Sequence, residues 1–198
     1  REFAEKEVKP LAIEVDETEI FPRETVTKMA KYGFLGIPVA KEFGGQGADP
    51  LAYVMCVEEL SKVCATTGVI VSAHTSLCAD PIAMYGTPEQ KKKYLIPLAK
   101  GEKLGAFALT EPNAGTDAQG AVTKAVLDGD EYVLNGSKIF ITNGKEADIY
   151  VVIACTEIKV DAKGRQKKIF SAFIVEKDTP GFGFGTKEKK MGIRGSST

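Results

Sequence analysis

An apolar run, Phe107-Ala108-Leu109, leads straight into Thr110-Glu111-Pro112-Asn113-Ala114-Gly115-Thr116-Asp117. The run alternates like a strand, and the loop is dense in hydroxyls, an amide and small residues. Such a loop offers backbone N–H groups and side-chain donors in a small volume, which suits a phosphate or the pyrimidine edge of a flavin. A second segment, Ile139-Phe140-Ile141-Thr142-Asn143-Gly144, sets an aromatic ring and a hydroxyl two residues apart. Residues two apart on a strand share a face, so Phe140 and Thr142 are expected to present a stacking ring and a donor to one planar ligand. Structural turns account for either segment taken alone.

Other chemistry-bearing residues are sparse. His74 is the only histidine, so a site built from several histidines is excluded. A lone histidine needs a nucleophile and an orienting acid to act as a base, and the reading favoured for His74 is a core side chain satisfied by one hydrogen bond. Cys56, Cys64, Cys78 and Cys155 form no CxxC pair and no zinc spacing, so no metal site is expected. They read as reduced thiols packed as small hydrophobes, which fits a cytoplasmic or otherwise reducing compartment. The glycine-rich stretches at Phe43–Pro50 and Gly181–Gly185 fail the phosphate-loop and dinucleotide patterns, and a doubly wound nicotinamide-binding fold is disfavoured. Lys163-Gly164-Arg165-Gln166-Lys167-Lys168 is a basic cluster that reads either as a solvated hairpin or as an anion contact.

These residues must be positioned by two kinds of element. Phe3, Val8, Leu11, Ala12 and Val15 recur at near-helical spacing, and Val26, Met29, Ala30 and Phe34 predict a second helix after Pro22. Asp49 and Pro50 are an N-cap and first helical residue for a helix to about Lys62. The uncharged stretch from Ala65 to Ala79 predicts a buried core helix, with Pro81 as a kink or break. Thr87-Pro88-Glu89-Gln90 matches a capping box, and that helix should stop at Gly101. Beyond Gly101 the period becomes two. Leu104 to Thr110, Tyr132 to Leu134, Lys138 to Thr142, Asp148 to Thr156 and Ile169 to Lys177 are strand-like, with turns at Asp128-Gly129, Asn135-Gly136, Asn143-Gly144 and Lys163-Gly164. Helices followed by short strands predict an α+β chain: a helical domain over residues 1–102 and a β-barrel-like or sandwich domain over residues 103–198.

Composition narrows the classes further. The 198 residues carry 26 Lys plus Arg against 27 Asp plus Glu, a net charge of -1, which gives no sign of a nucleic-acid surface or a polybasic membrane patch. The longest uncharged stretch is shorter than the roughly 20 apolar residues of a spanning helix, so no membrane insertion is expected. The chain starts at Arg1 and stops at Gly195-Ser196-Ser197-Thr198, which reads as part of a longer chain.

The segment Thr110 to Asp117 resembles the signature of the acyl-CoA dehydrogenases. Further segments agree in order and spacing: Gly36-Ile37-Pro38 with Glu42-Phe43-Gly44-Gly45, Glu58-Glu59-Leu60-Ser61, Tyr85-Gly86-Thr87-Pro88-Glu89-Gln90-Lys91, Leu134-Asn135-Gly136-Ser137-Lys138, Thr179-Pro180-Gly181 and Lys190-Met191-Gly192-Ile193-Arg194-Gly195. The resemblance covers the whole chain and looks closest to the short-chain, butyryl-CoA branch of anaerobic bacteria. It implies the N-terminal helical and middle β domains of a longer enzyme, with a C-terminal helical domain beyond.

The resemblance also implies a function. FAD is expected to be held by Phe107, Leu109, Thr110, Gly115 and Thr116, with Phe140, Ile141 and Thr142 flanking the isoalloxazine. Thr142 would donate to flavin N5, Thr110 would bond near the pyrimidine edge, and Thr116 would face the pantetheine arm of the thioester. Lys167 is the implied contact to the CoA phosphates. Many relatives carry Trp where this chain has Phe140, and the chain has no tryptophan. The implied reaction is α,β-dehydrogenation of a short-chain acyl-CoA, with electrons passed to an electron-transferring flavoprotein and the intact enzyme a homotetramer. The catalytic base of this branch lies in the C-terminal domain, so no catalytic residue is assigned here. Glu111 belongs to the signature loop, but nothing marks it as that base. Two alternatives remain: an oxygen-using acyl-CoA oxidase, and a non-catalytic ligand-binding module.

Overall fold

The computed structural model describes residues 1–160 and 162–198. Pro10 lacks the N–H that a regular helix needs, and the backbone adjusts around it. A wide helical turn at Ala4–Val8 tightens at Lys9–Leu11 and then continues as α1 (Ala12–Thr18). α2 spans Arg23–Lys31 and buries Val26 and Met29. α3 (Pro50–Val63) starts where expected: the Asp49 carboxylate accepts the Ala52 N–H at 2.8 Å.

The buried helix runs from Ala65 to Tyr85, and Pro81 does not break it. α4 (Ala65–Ser72) runs through a π-helical stretch, Ala73–Ala79, into α5 (Asp80–Tyr85). The Asp80 N–H reaches back five residues to the Thr75 carbonyl. Pro81 therefore enters at the start of a fresh α-register, where a missing N–H costs little. α6 (Pro88–Gln90) opens on the expected reciprocal bonds between Thr87 and Gln90. It continues through Lys91–Leu95 into α7 (Ile96–Ala99), and the chain turns at Gly101 with φ +68°.

Five strands follow, β1 (Gly105–Ala108), β2 (Lys124–Asp128), β3 (Glu131–Asn135), β4 (Ile149–Val160) and β5 (Gln166–Glu176). They form one mixed sheet centred on β4. β1 pairs β4 in parallel, β2 joins it in parallel at Lys124↔Cys155, and β5 pairs it antiparallel with a bulge between Cys155 and Glu157. β3 closes a hairpin with β2. The rings of Tyr132 on β3 and Phe173 on β5 meet edge to face, with centroids 5.1 Å apart, so side chains bring these two strands together. The order of helices then sheet is the α+β order expected. β2 has no counterpart among the predicted strands.

One predicted strand is absent. Residues 138–142 form an irregular segment, because Phe140 takes a left-handed conformation (φ +57°) that no strand accommodates. Phe140 and Thr142 therefore do not share a strand face.

Helices and sheet are joined by a common core. Cys78, Ala79, Ile82, Leu95 and Leu98 pack with Ile149 and Val151 of β4. At the same junction His74 is fully buried and uses both ring nitrogens rather than one: Nδ1 accepts the Gly105 N–H at 3.0 Å, and Nε2 lies 3.2 Å from the Leu98 carbonyl. Gly105 is required there, since a Cβ would lie 2.7 Å from the Cys78 sulfur. All four cysteines are free; Cys64, Cys78 and Cys155 are buried and Cys56 is half-buried. Among the described residues no helix is long and apolar enough to cross a membrane, and no group of acidic, His or Cys side chains is placed to hold a metal ion.

Candidate functional site

The two segments singled out by their chemistry meet beyond the end of β1. The Ile139 N–H donates to the Thr110 carbonyl at 2.8 Å. Lys138 Nζ donates to the Leu109 carbonyl at 2.9 Å and to Glu111 Oε1 at 2.7 Å. Residues 109–111 are thus held in order against residues 138–139.

The signature loop begins with a tight turn. Glu111 and Ala114 exchange two backbone bonds, at 3.1 and 3.0 Å, which throws Pro112 and Asn113 outward. Gly115, Thr116 and Asp117 follow and are exposed. Nothing lies within 4 Å of where a Gly115 side chain would begin, so the backbone there is open to a ligand. The Glu111 carboxylate is buried beneath this turn and accepts the N–H groups of Val122 at 2.7 Å and Thr123 at 3.0 Å. Burial pushes its pKa up, but the Lys138 ammonium and the backbone donors outweigh that and hold it at about 2. Glu111 is an ionised carboxylate engaged by Lys138 and two backbone N–H groups.

The other segment has its own support. Phe140 is 61% exposed, while Ile141 and Thr142 are half-buried. The following turn is anchored by Asn143, which is fully buried at φ +64°. Its amide nitrogen donates to the carbonyls of Ile70 at 3.1 Å and Gly105 at 3.2 Å. The Tyr150 hydroxyl reaches the carbonyls of Gly144 at 2.7 Å and Ala147 at 2.8 Å, and the Gly144 N–H donates to the Ser197 carbonyl at 3.0 Å. The irregular segment is therefore fixed from three sides.

The structure holds Leu109 and Thr110 against Lys138 and Ile139, one residue before Phe140, and packs Ile141 with Ala106 and Ala108 of β1. Thr142 follows on the same segment, and Gly115 and Thr116 lie on the exposed turn after Ala114. Phe107 lies on β1 and packs its half-buried ring against the shared core. Lys167 stands apart. It pairs with Lys159 on the β4–β5 ladder, seven residues beyond Val152, which pairs with Ala108. At about 3.3 Å per residue that is roughly 23 Å from the end of β1. Its neighbour Lys168 turns inward to the carbonyls of Gly120 at 3.0 Å and Ala121 at 2.8 Å.

Sequence reasoning missed two features. The Glu111–Lys138 pair spans 27 residues, and no local pattern announces it. Asn143 was legible only as a turn residue, although Asn before Gly is a hallmark of left-handed backbone.

Comparison with known proteins places these features in context. Residues 1–102 match the family model for the acyl-CoA dehydrogenase N-terminal domain, and residues 106–198 match that for the acyl-CoA dehydrogenase middle domain. The whole chain is 63% identical to the short-chain specific acyl-CoA dehydrogenase of Clostridium acetobutylicum, covering 51% of that protein. Among solved structures, 98% of the chain superposes on half of a chain from work on the electron transferring flavoprotein of Acidaminococcus fermentans, with 55% identity and a TM-score of 0.90. The same share superposes on 51% of butyryl-CoA dehydrogenase from Megasphaera elsdenii, with 48% identity and a TM-score of 0.90. An acyl-CoA dehydrogenase from Bacillus anthracis complexed with FAD aligns with 99% of the chain and 32% of its own, at 41% identity and a TM-score of 0.88. The chain spans about half the length of the curated relatives it matches.

Proposed function

Because the chain belongs to the acyl-CoA dehydrogenase family, we propose that it contributes the flavin-facing middle domain and the helical domain of an FAD-dependent short-chain acyl-CoA dehydrogenase. The boundary between the two domains lies at 102/103. The whole protein removes hydrogen from Cα and Cβ of a butyryl-CoA-like thioester and gives the enoyl-CoA. Electrons leave to an electron-transferring flavoprotein. The working form is a cytoplasmic homotetramer.

The observation that supports this reading is the junction of residues 109–111 with residues 138–139, which joins the segment bearing Thr110 to the one bearing Phe140 and Thr142. The donor set fits a flavin dinucleotide. Thr110 and Thr142 offer hydroxyls, Phe140 offers an exposed aromatic face, and Gly115 and Thr116 offer open backbone for a pyrophosphate. Leu109 and Ile141 supply apolar surface, and Phe107 anchors β1 to the helical core behind it. Bound FAD supplies a hydride acceptor. The chain's own residues bind and orient the ring: Thr110 toward its pyrimidine edge, Thr142 toward N5, Phe140 and Ile141 along its face. Thr116 also serves the pantetheine arm, and Lys167 serves the CoA phosphates. The base that takes the α-proton is assigned to no residue of this chain.

Purified full-length protein is expected to carry a flavin absorption band that bleaches on anaerobic addition of butyryl-CoA, and bleaches less with longer thioesters. Absence of flavin, with no response to added FAD, would overturn the reading in favour of a binding module. Oxygen consumption matching substrate turnover would turn it to an oxidase.

A further inference from the structure

Glu111 and Lys138 pair at 2.7 Å with side chains only 3% and 9% exposed. Every identified partner of the carboxylate among the described residues is a donor: Lys138 and the Thr123 N–H on Oε1, and the Val122 N–H on Oε2. Every identified partner of the Lys138 ammonium is an acceptor on residues 109 and 111. The pair therefore joins three stretches of chain: the start of the signature loop, the entry to β2 and the exit from β3.

A buried ion pair is weak evidence for stability, because desolvating two charges offsets most of their attraction. This one has a geometric consequence instead. Lys138 holds residues on both sides of Thr110 while the next residue, Ile139, holds the Thr110 carbonyl. Two residues further on comes Ile141, and then Thr142. Thr110 is thus tied to the start of the Phe140–Thr142 segment by one backbone bond with a buried charged clamp directly beside it.

We infer that Lys138 and Glu111 are positioning residues that fix the two flavin-facing segments relative to each other. They reach the flavin through Thr110 and Phe140–Thr142 rather than by contact. The inference rests on the flavin reading above and extends it to residues that the reading leaves unassigned. An apolar replacement of Lys138 leaves a buried carboxylate with one donor fewer and releases the Leu109 carbonyl. Glu111→Gln offers one acceptor oxygen where three donors converge.

The test uses the full-length protein. Lys138→Met is expected to raise the FAD dissociation constant about tenfold or more, the scale of a lost charge-assisted bond. It should also change the visible circular dichroism of the bound flavin and lower kcat for butyryl-CoA more than it changes KM. Lys138→Arg restores a cation and is expected to recover most of the affinity and the dichroism. Glu111→Gln is the second variant should Lys138→Met not accumulate as folded protein, and it should shift the same signals. Folded variants with wild-type FAD affinity and unaltered flavin dichroism would overturn the inference and leave the flavin reading intact. Wild-type protein that neither carries nor takes up flavin would overturn that reading itself, and the inference with it.

Discussion

His74 accepts the Gly105 N–H at 3.0 Å, so the only histidine of the chain pins the first strand to the buried helix. Because Nδ1 accepts, the ring proton sits on Nε2 and points to the Leu98 carbonyl. Protonating Nδ1 would set a donor against a donor inside the core.

That arrangement predicts a pH dependence. Burial lowers the His74 pKa from 6.5 to about 4, against weaker opposition from its backbone bonds. The unfolded chain then binds a proton that the folded chain refuses between those values, so stability is full above pH 6.5 and falls as pH drops toward 4, by about 3 kcal/mol. Thermal midpoints of the full-length protein should decline across that window, and the decline should flatten in His74→Leu. Glu111 acts lower. Its depressed pKa means its contribution is present above 4.5 and is lost as pH falls through about 2.

Asn143 tests the support of the irregular segment. Its amide bonds to Ile70 and Gly105 and its left-handed backbone are separate demands. Asn143→Gly keeps the backbone and removes the amide, for a loss of about 1–3 kcal/mol. Asn143→Ala should cost roughly 1 kcal/mol more, because Ala resists the left-handed region. Denaturant unfolding of both variants beside the parent checks the order.

Phe140 makes the opposite prediction. Its ring is 61% exposed, so Phe140→Ala should change stability by no more than about 0.5 kcal/mol. If the ring stacks on a flavin, the same variant should weaken FAD binding about fivefold, from roughly 1 kcal/mol of lost stacking. Titration of the apoprotein with FAD measures it.

Lys167 is exposed and opposite Lys159. Lys167→Ala should leave the thermal midpoint unchanged and raise KM for acyl-CoA about threefold at low ionic strength, with the difference fading as salt screens it. Initial rates at two salt concentrations read this out.

The sequence was most legible where physics is local. Asp49 with Pro50, Thr87 with Gln90, and Gly101 each do at a helix end what their chemistry demands within four residues. Reading failed where a neighbour rewrote the local rule. Alternation over Lys138–Thr142 suggested a strand, but its ends are committed elsewhere, Lys138 to Glu111 and Asn143 to Ile70 and Gly105, and Phe140 turns left-handed between them. Pro81 suggested a break, but the π-helical stretch absorbs it. The candidate site was legible as residue types; the bonds that draw it together cross 27 residues or more and leave no periodic trace.

The Gly105 peptide has one further consequence, for anyone dividing the chain. Its N–H belongs to His74 and its carbonyl to Asn143, and the gap between the two matched family models falls at residues 103–105. A cut there looks natural by homology and is poor by thermodynamics. The helical piece would carry away a fully buried imidazole without its donor, along with Cys78, Leu95 and Leu98 stripped of the strand they pack on. The sheet piece would keep Asn143 without the Ile70 carbonyl. Inheritance and packing draw different borders in this molecule: two matched family models, one core shared across the gap between them.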